Sequence, residues 1–374
     1  MFTDLRVYVI VGMFMVAGIA LMFFNLIIIK HSKGKKASSA DMVSAWAKLL
    51  HTQTGLQPGK KQSDSYHKKF LLRRLRNAEE LVFFSKALLY IKSEFPTEYS
   101  DYIGSYKEVF QQLAVSYKSK PGIERACFAD FICEFAGVQG TTYSPLIDSL
   151  ISFIDDPNIY CRINVLRALC IIGNVQAVVN AVQIINDKQL YIHRQTLTSE
   201  LCNFRGDKEI LGDNLWGRCH LWDDNTTVAV IQFITTFSKY YRGAFMPLLC
   251  NASASADMRI AVIRYYGKYM YKLAQPILSS FVAKPADIAL AIVAATALEL
   301  YPESNTIDIL KGALVSQNWY VRYNASSSLV KLGTNSDLID IVRFGDSHEK
   351  EIVIYMLEQR FHRNEEMDMG RISA

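Results

Sequence analysis

The chain has 374 residues and a mass of 42.4 kDa, and 50% of its residues are apolar while 21% are charged. This composition excludes an intrinsically disordered chain and a small scaffold held together by disulfides. The net charge of +5 is unevenly distributed, because residues 30–76 hold 12 Lys or Arg against Asp41 and Asp64, whereas residues 77–374 are net acidic by five charges. A basic segment therefore precedes a mildly acidic body.

An uncharged apolar segment of 23 residues, 7–29, follows a short N-terminus at residues 1–6. As a helix it would extend for about 35 Å, more than the roughly 30 Å of a hydrocarbon core, so it predicts one transmembrane helix. A cleaved signal peptide would have a shorter apolar region and a cleavage site, which this segment lacks. Lysines follow the segment directly, so we expect a single-pass protein of the inner or plasma membrane with residues 1–6 outside and the body in the cytoplasm.

Residues 30–69 are rich in Gly, Ser and Lys and predict a basic linker next to the membrane. Four lysines of this linker are candidates for binding anionic lipid headgroups: Lys30, Lys33, Lys35 and Lys36. The alternative is that these charges only set topology and solvate the linker. Seven cysteines at irregular spacing agree with a reducing compartment.

The rest of the chain has a helical pattern throughout, with a helical N-terminal cap predicted at 70–104, a repeat domain at 105–362 and a polar tail at 363–374. One pattern recurs in the repeat domain: a polar turn, an aromatic or aliphatic residue, an Arg, and then small and apolar residues at helical spacing. It occurs at Arg125, Arg162, Arg194, Arg259 and Arg322, with copies that lack the Arg near Ala229 and Leu290. The period of roughly 30–37 residues is typical of an α-solenoid built from helix pairs.

The repeats resemble HEAT repeats, of the armadillo-like α-solenoid class. In NWYVRYNASSSLVKLG the matching residues are Val321, Arg322, Ala325, Leu329 and Gly333, and in DPNIYCRINVLRALCIIG they are Asp156, Arg162, Leu169 and Gly173. Val165 stands where the family prefers Ala. The resemblance implies an all-α fold of seven to eight helix pairs, in which each Arg has a structural role and pairs with Asp or carbonyl groups of an adjacent repeat.

The motifs of several enzyme and metal-binding classes are absent from the sequence. It contains no HExxH, no CxxC, no GxxxxGK[ST] and no GxSxG. Enzymes of the deoxyhypusine hydroxylase type resemble HEAT arrays and hold two irons through several His-Glu pairs, whereas this chain has one such pair, His348-Glu349. We therefore predict no catalytic residues, no metal site and no cofactor, and we interpret Asp155-Asp156 and Asp223-Asp224 as helix caps.

The sequence therefore predicts that the repeat domain binds a protein partner through an extended surface. The predicted partner-binding residues are polar or aromatic side chains on, or just before, the second helix of a repeat: Asn164, Arg167, Arg264, Tyr265, Tyr266, Trp319, Tyr320, Tyr323 and Asn324. Tyr, Trp and Arg dominate interface hot spots. The alternative for each aromatic residue is that it covers its own repeat junction.

The sequence thus predicts a membrane-anchored scaffold, of a type expected in bacteria, that binds a protein partner such as a membrane enzyme of envelope or polysaccharide synthesis. The alternative is a HEAT-like enzyme or enzyme subunit of the lyase or hydroxylase type at the membrane. Nucleic acid is disfavoured as a partner, because the repeat body is net acidic.

Overall fold

The computed structural model describes residues 39–55, 64–135 and 145–372. The described part of the chain is helical and contains no strand, which confirms the predicted all-α class. It separates into two compact units, residues 1–172 (unit 1) and residues 173–374 (unit 2). The sequence predicted one continuous array over 105–362, so this division is a feature that the repeat pattern did not indicate.

Unit 1 contains eight described helices. They are α1 (39–54), α2 (Asp64–Arg74), α3 (Ala78–Glu94), α4 (Pro96–Ser105), α5 (Lys107–Tyr117), α6 (Gly122–Phe135), α7 (Pro145–Phe153) and α8 (Ile159–Ile172). Helices α3, α6 and α8 pack side by side, and α2, α5 and α7 pack behind them. The first helices of the pairs thus form one layer (row A) and the second helices form another (row B).

Unit 2 repeats this arrangement over a longer stretch. Its helices are α9 (Val175–Asp187), α10 (Arg194–Cys202), α11 (Lys208–Trp216), α12 (Asp224–Phe237), α13 (Met246–Cys250), α14 (Ala256–Tyr266), α15 (Gln275–Ala283), α16 (Ile288–Ala297), α17 (Ser304–Ala313), α18 (Trp319–Leu332), α19 (Asn335–Phe344) and α20 (Ser347–Ile372). Helices α10, α12, α14, α16, α18 and α20 contact one another in sequence and form row B. This stacking of helix pairs is consistent with an α-solenoid.

Side-chain caps start many of these helices. Asn174, Asp207, Asp223, Asp287 and Asn318 each accept a hydrogen bond from a backbone N–H of the first turn that follows. Such a cap satisfies N–H groups that have no partner within the helix, and each contributes about 1 kcal/mol. The predicted capping role of Asp223 is therefore confirmed, because its carboxylate lies 2.7 Å from the Thr226 amide nitrogen.

The two units have different cores. In unit 1 aromatic rings fill the space between the rows, with Phe131 contacting Phe84, Phe110 and Phe135 at centroid distances of 6.0, 5.2 and 4.6 Å. Helix α1 joins this core, since Trp46 lies 5.0 Å from Phe84. In unit 2 the buried face of α16 is largely alanine: Ala291, Ala294, Ala295 and Ala297. Small side chains let neighbouring helices approach closely.

All seven repeat positions lie on row B helices, but their arginines have different partners. Arg162 and Arg322 donate to carbonyl oxygens of the turn just before their own helix, at 2.8 Å to Asp156 and 2.6 Å to Ser316.

The other repeat arginines have partners outside that turn. Arg125 pairs with the buried carboxylate of Asp156 in the next repeat at 3.0 Å. Arg194 pairs with Asp257 at 2.6 Å. The guanidinium of Arg259 lies 4.8 Å from the ring centroid of Phe281. The ladder implied by the family resemblance is thus only partly present.

The predicted localisation requires correction. Within residues 39–55, 64–135 and 145–372, no helix is both long and apolar enough to cross a membrane. Helix α20 is the longest there, with 26 residues, but it carries many charged side chains, and α3 has 17 residues. A span needs about 20 mostly apolar residues. The segment 7–29 and the lysines Lys30, Lys33, Lys35 and Lys36 lie outside the described residues, and we withdraw the prediction of a single-pass membrane protein.

Candidate functional site

Helix α18 carries an exposed group of aromatic side chains at its start. Trp319 and Tyr320 are 48% and 61% exposed, and Tyr323 is half-buried one turn later. The ring of Trp319 contacts Tyr320 at a centroid distance of 5.1 Å and Tyr323 at 4.9 Å. We call these three residues the aromatic surface. Their mutual contacts hold the rings in place without burying them.

The first turn of α18 is fixed by hydrogen bonds on both of its sides. Asn318 accepts from the backbone N–H groups of Tyr320 and Val321 at 3.0 and 3.2 Å. Arg322 reaches back to the carbonyl oxygens of Ser316 and Gln317 at 2.6 and 3.1 Å. The backbone that carries the aromatic surface is therefore ordered before any partner arrives.

Further bonds attach α18 to its neighbours in row B. The side-chain amide of Asn324 donates to the Ile292 carbonyl at 3.0 Å, and the Ser328 hydroxyl donates to the Ala295 carbonyl at 2.8 Å. On the other side, Ser326 donates to Ile352 of α20 at 3.2 Å. Asn324, predicted as a partner-binding residue, thus uses its amide to pack α18 against α16.

A cleft of about 300 Å³ lies beside the aromatic surface, between α18 and α20. It is lined by Tyr323, Ser327, Val330, Lys331, Met356, Gln359 and Arg360. Lys331 pairs with Glu299 at 2.5 Å, and Arg360 donates to the Val330 carbonyl at 2.7 Å. The cleft therefore combines an apolar floor of Val330 and Met356 with two cationic groups.

Two predicted residues belong to unit 1 and lie in ordinary packing positions. The amide of Asn164 donates to the Ala126 carbonyl at 3.2 Å and so joins α8 to α6. Arg167 is half-buried near Asp130, and it opposes the rise in the pKa of Asp130 that burial and Glu134 cause. Neither belongs to the group of side chains that the structure assembles on α18.

The prediction that Tyr265 and Tyr266 face a partner needs correction, because both side chains are fully buried. Tyr265 packs against Phe245 at a centroid distance of 4.7 Å, and the Tyr266 hydroxyl donates to the Arg242 carbonyl at 2.6 Å. They cover their own repeat junction, which was the alternative for each aromatic residue. Arg264, on the same helix, is exposed.

Sequence reasoning missed a larger cleft of about 620 Å³, which lies between the end of α11, the α13 segment and the starts of α12 and α14. Its lining includes Trp216, Cys219, His220, Trp222 and Asp224, and we call it the tryptophan cleft. Burial raises the pKa of the Cys219 thiol to about 12, so this group stays neutral at pH 7. The segment WGRCHLWDD, which places two tryptophans ahead of two aspartates, is the sequence feature that could have indicated this cleft.

The described residues hold no group of three or more His, Cys, Asp or Glu side chains placed to bind a metal ion. The side chain of His348 is not described, so the structure does not test the His348-Glu349 pair.

Comparison with known proteins gives few matches. No family model matches the sequence, and no curated protein matches it. Among solved structures, the chain is similar to human deoxyhypusine hydroxylase in complex with glycerol over 80% of its own length and 97% of that chain, at 12% identity and a TM-score of 0.28. That enzyme is a helical structural neighbour, and at this TM-score the likeness supports no inference about activity.

Proposed function

We propose that this chain is an adaptor that binds a protein partner through the aromatic surface of α18 and the adjoining cleft. The observation that carries the proposal is the exposure of Trp319 and Tyr320 on a helix that is fixed by hydrogen bonds on three sides. Exposed Trp and Tyr side chains are unusual in that they offer a large apolar area with few rotatable bonds, and they dominate binding energy at interfaces.

The geometry also suggests what the partner presents. An apolar side chain would cover Val330 and Met356 in the cleft, and a carboxylate would face Arg360, since Lys331 is already paired with Glu299. Because α18 is already ordered, binding costs little conformational entropy on this side. We therefore expect a surface or helix of the partner with an apolar residue next to Asp or Glu.

Crosslinking and pull-down from native extracts test the proposal, followed by a binding measurement with the purified partner. The double variant Trp319→Ala/Tyr320→Ala should weaken binding by tenfold or more, since hot-spot truncations cost about 2 kcal/mol or more. Tyr240→Ala/Leu273→Ala is the matched control, because these side chains are 75% and 65% exposed elsewhere in unit 2. Equal affinity of both double variants for the partner would refute the proposal.

The enzyme alternative is tested by a different measurement. Its hydroxylase version needs iron ligands, and its lyase version needs a bound chromophore. Metal analysis of the purified full chain tests the hydroxylase version. The absorbance of a bound chromophore tests the lyase version. Stoichiometric iron or a bound chromophore would favour an enzyme, and their absence together with partner binding would favour the adaptor.

A further inference from the structure

The tryptophan cleft lies in unit 2, and its lining has a distinct chemistry. At about 620 Å³ it falls within the roughly 300–1,000 Å³ of small-ligand sites. Its buried members are Cys219, Trp222 and Thr227, while His220 and Asp224 are exposed. None of its lining residues is Lys or Arg. Asp224 is the one carboxylate in the lining, and no lysine or arginine of the lining offsets its charge.

The two tryptophan rings are fixed before any ligand arrives. Trp216 packs edge-to-face on Phe245 at a centroid distance of 4.7 Å. The indole N–H of Trp222 donates to the Gln183 side chain at 2.9 Å. Fixed aromatic rings attract cations through the negative charge on their faces, most strongly for Trp.

The start of α12 adds negative charge in spite of the helix dipole. A helix N-terminus carries about half a positive charge, whereas Asp223 and Asp224 together bring two negative charges. Asp223 is engaged as the cap of α12 at 2.7 Å from the Thr226 amide nitrogen. Nearby Asp257 is already paired with Arg194 at 2.6 Å. Asp224 is therefore the carboxylate that faces the cleft.

We infer that the tryptophan cleft binds a cationic side chain, lysine or arginine, from a protein partner, with Asp224 as the counter-charge and Trp216 and Trp222 as the aromatic walls. The inference rests on the proposed adaptor function for the source of the cation. Its chemistry can be tested without any partner, so failure of one proposal leaves the other standing.

Small probes and the indole signals of the full-length, nitrogen-15-labelled chain provide the test. The probes are the Nα-acetyl methylamides of lysine and arginine, and the neutral Nα,Nε-diacetyl-lysine methylamide. Both cations should shift the indole N–H signals of Trp216 and Trp222 saturably and leave Trp46 and Trp319 unchanged. The neutral probe should bind about fivefold more weakly or worse. Equal binding of the neutral probe, or no shift at Trp216 and Trp222 up to the solubility limit, would overturn the inference.

A pair of conservative variants sharpens this test. Asp224→Asn keeps the shape of an exposed side chain and should weaken cation binding about threefold or more, because it removes the counter-charge and leaves the aromatic walls. Asp308→Asn removes an exposed carboxylate on α17, outside the cleft, and should change nothing. Unchanged Trp46 and Trp319 signals in both variants show that the fold is kept. Equal affinity of the two variants for the lysine probe would contradict the role of Asp224.

Discussion

Helices α14 and α18 belong to the same row of unit 2 and both carry aromatic residues, yet they place them in opposite environments. Tyr265 and Tyr266 are fully buried at the end of α14, whereas Trp319 and Tyr320 are largely exposed at the start of α18. The difference lies in position along the helix. The end of α14 packs against the segment around Phe245 and Arg242, while the first turn of α18 is bonded to the turn at Ser316 and Gln317 that precedes it.

This contrast shows that residue type alone does not identify a binding surface in a repeat protein. Tyrosines six and seven residues after the repeat Arg stabilise a junction, and aromatic residues two or three residues before it face solvent. Measurements of stability and binding for variants of the two helices separate these roles.

The largest effect is expected for Tyr266→Ala on α14. It removes a fully buried ring and its hydrogen bond to the Arg242 carbonyl, so the free energy of unfolding should fall by about 3–5 kcal/mol. Tyr266→Phe keeps the ring and should cost about 1 kcal/mol. Urea unfolding followed by circular dichroism measures both. If Tyr266→Ala lowers the free energy of unfolding by less than Tyr266→Phe does, the junction does not depend on this ring.

A smaller loss is expected for Arg322→Ala on α18. The guanidinium holds the carbonyl oxygens of Ser316 and Gln317, and hydrogen bonds from charged groups contribute about 1.5–3 kcal/mol. Unfolding of this variant is compared with that of Arg264→Ala, an exposed arginine on α14. If the two variants lose equal stability, the repeat Arg has no special structural role.

Much of the fold followed from sequence periodicity. A helix pair cannot bury its apolar face alone, so every repeat must keep the same register, and the seven repeat positions all fall on row B helices. The division between residues 172 and 173 was not predictable in this way. Gly173 belongs to the repeat motif, has a φ of +78° and follows the last residue of α8 at this boundary, but a glycine after a helix is also an ordinary C-terminal cap.

The candidate site was predicted only in part. Trp319, Tyr320 and Tyr323 were named as aromatic residues on, or just before, the second helix of a repeat; Trp319 and Tyr320 are exposed there, and Tyr323 is half-buried. Tyr265 and Tyr266 were named by residue type, and tertiary packing buried them. The tryptophan cleft is lined largely by residues outside the repeat motif, in the connection between α11 and α12 and around α13, so periodicity carried little information about it.

The pH dependence of stability extends the comparison to tyrosine ionisation. Burial is the main cause that raises the pKa of Tyr265 from its ordinary value of 10.0 to about 12. Between pH 10 and 12 the unfolded chain loses this proton while the folded chain keeps it, so stability is full below pH 10 and falls as the pH rises. Tyr265→Phe should reduce that fall, and Tyr320→Phe on α18 is the control. If the free energy of unfolding falls equally with pH in both variants, burial of Tyr265 is not the cause of the fall.

The smallest effect on stability is expected for Trp319→Ala/Tyr320→Ala. Both side chains are about half exposed or more, and surface substitutions away from caps and cores change the free energy of unfolding by about 0.5 kcal/mol or less. The same variant is the one expected to lose partner binding. Calorimetric melting of the double variant beside Tyr266→Phe measures this difference directly. A loss larger than that of Tyr266→Phe would mean that the aromatic surface stabilises α18 itself, and the contrast between α14 and α18 would then be one of degree.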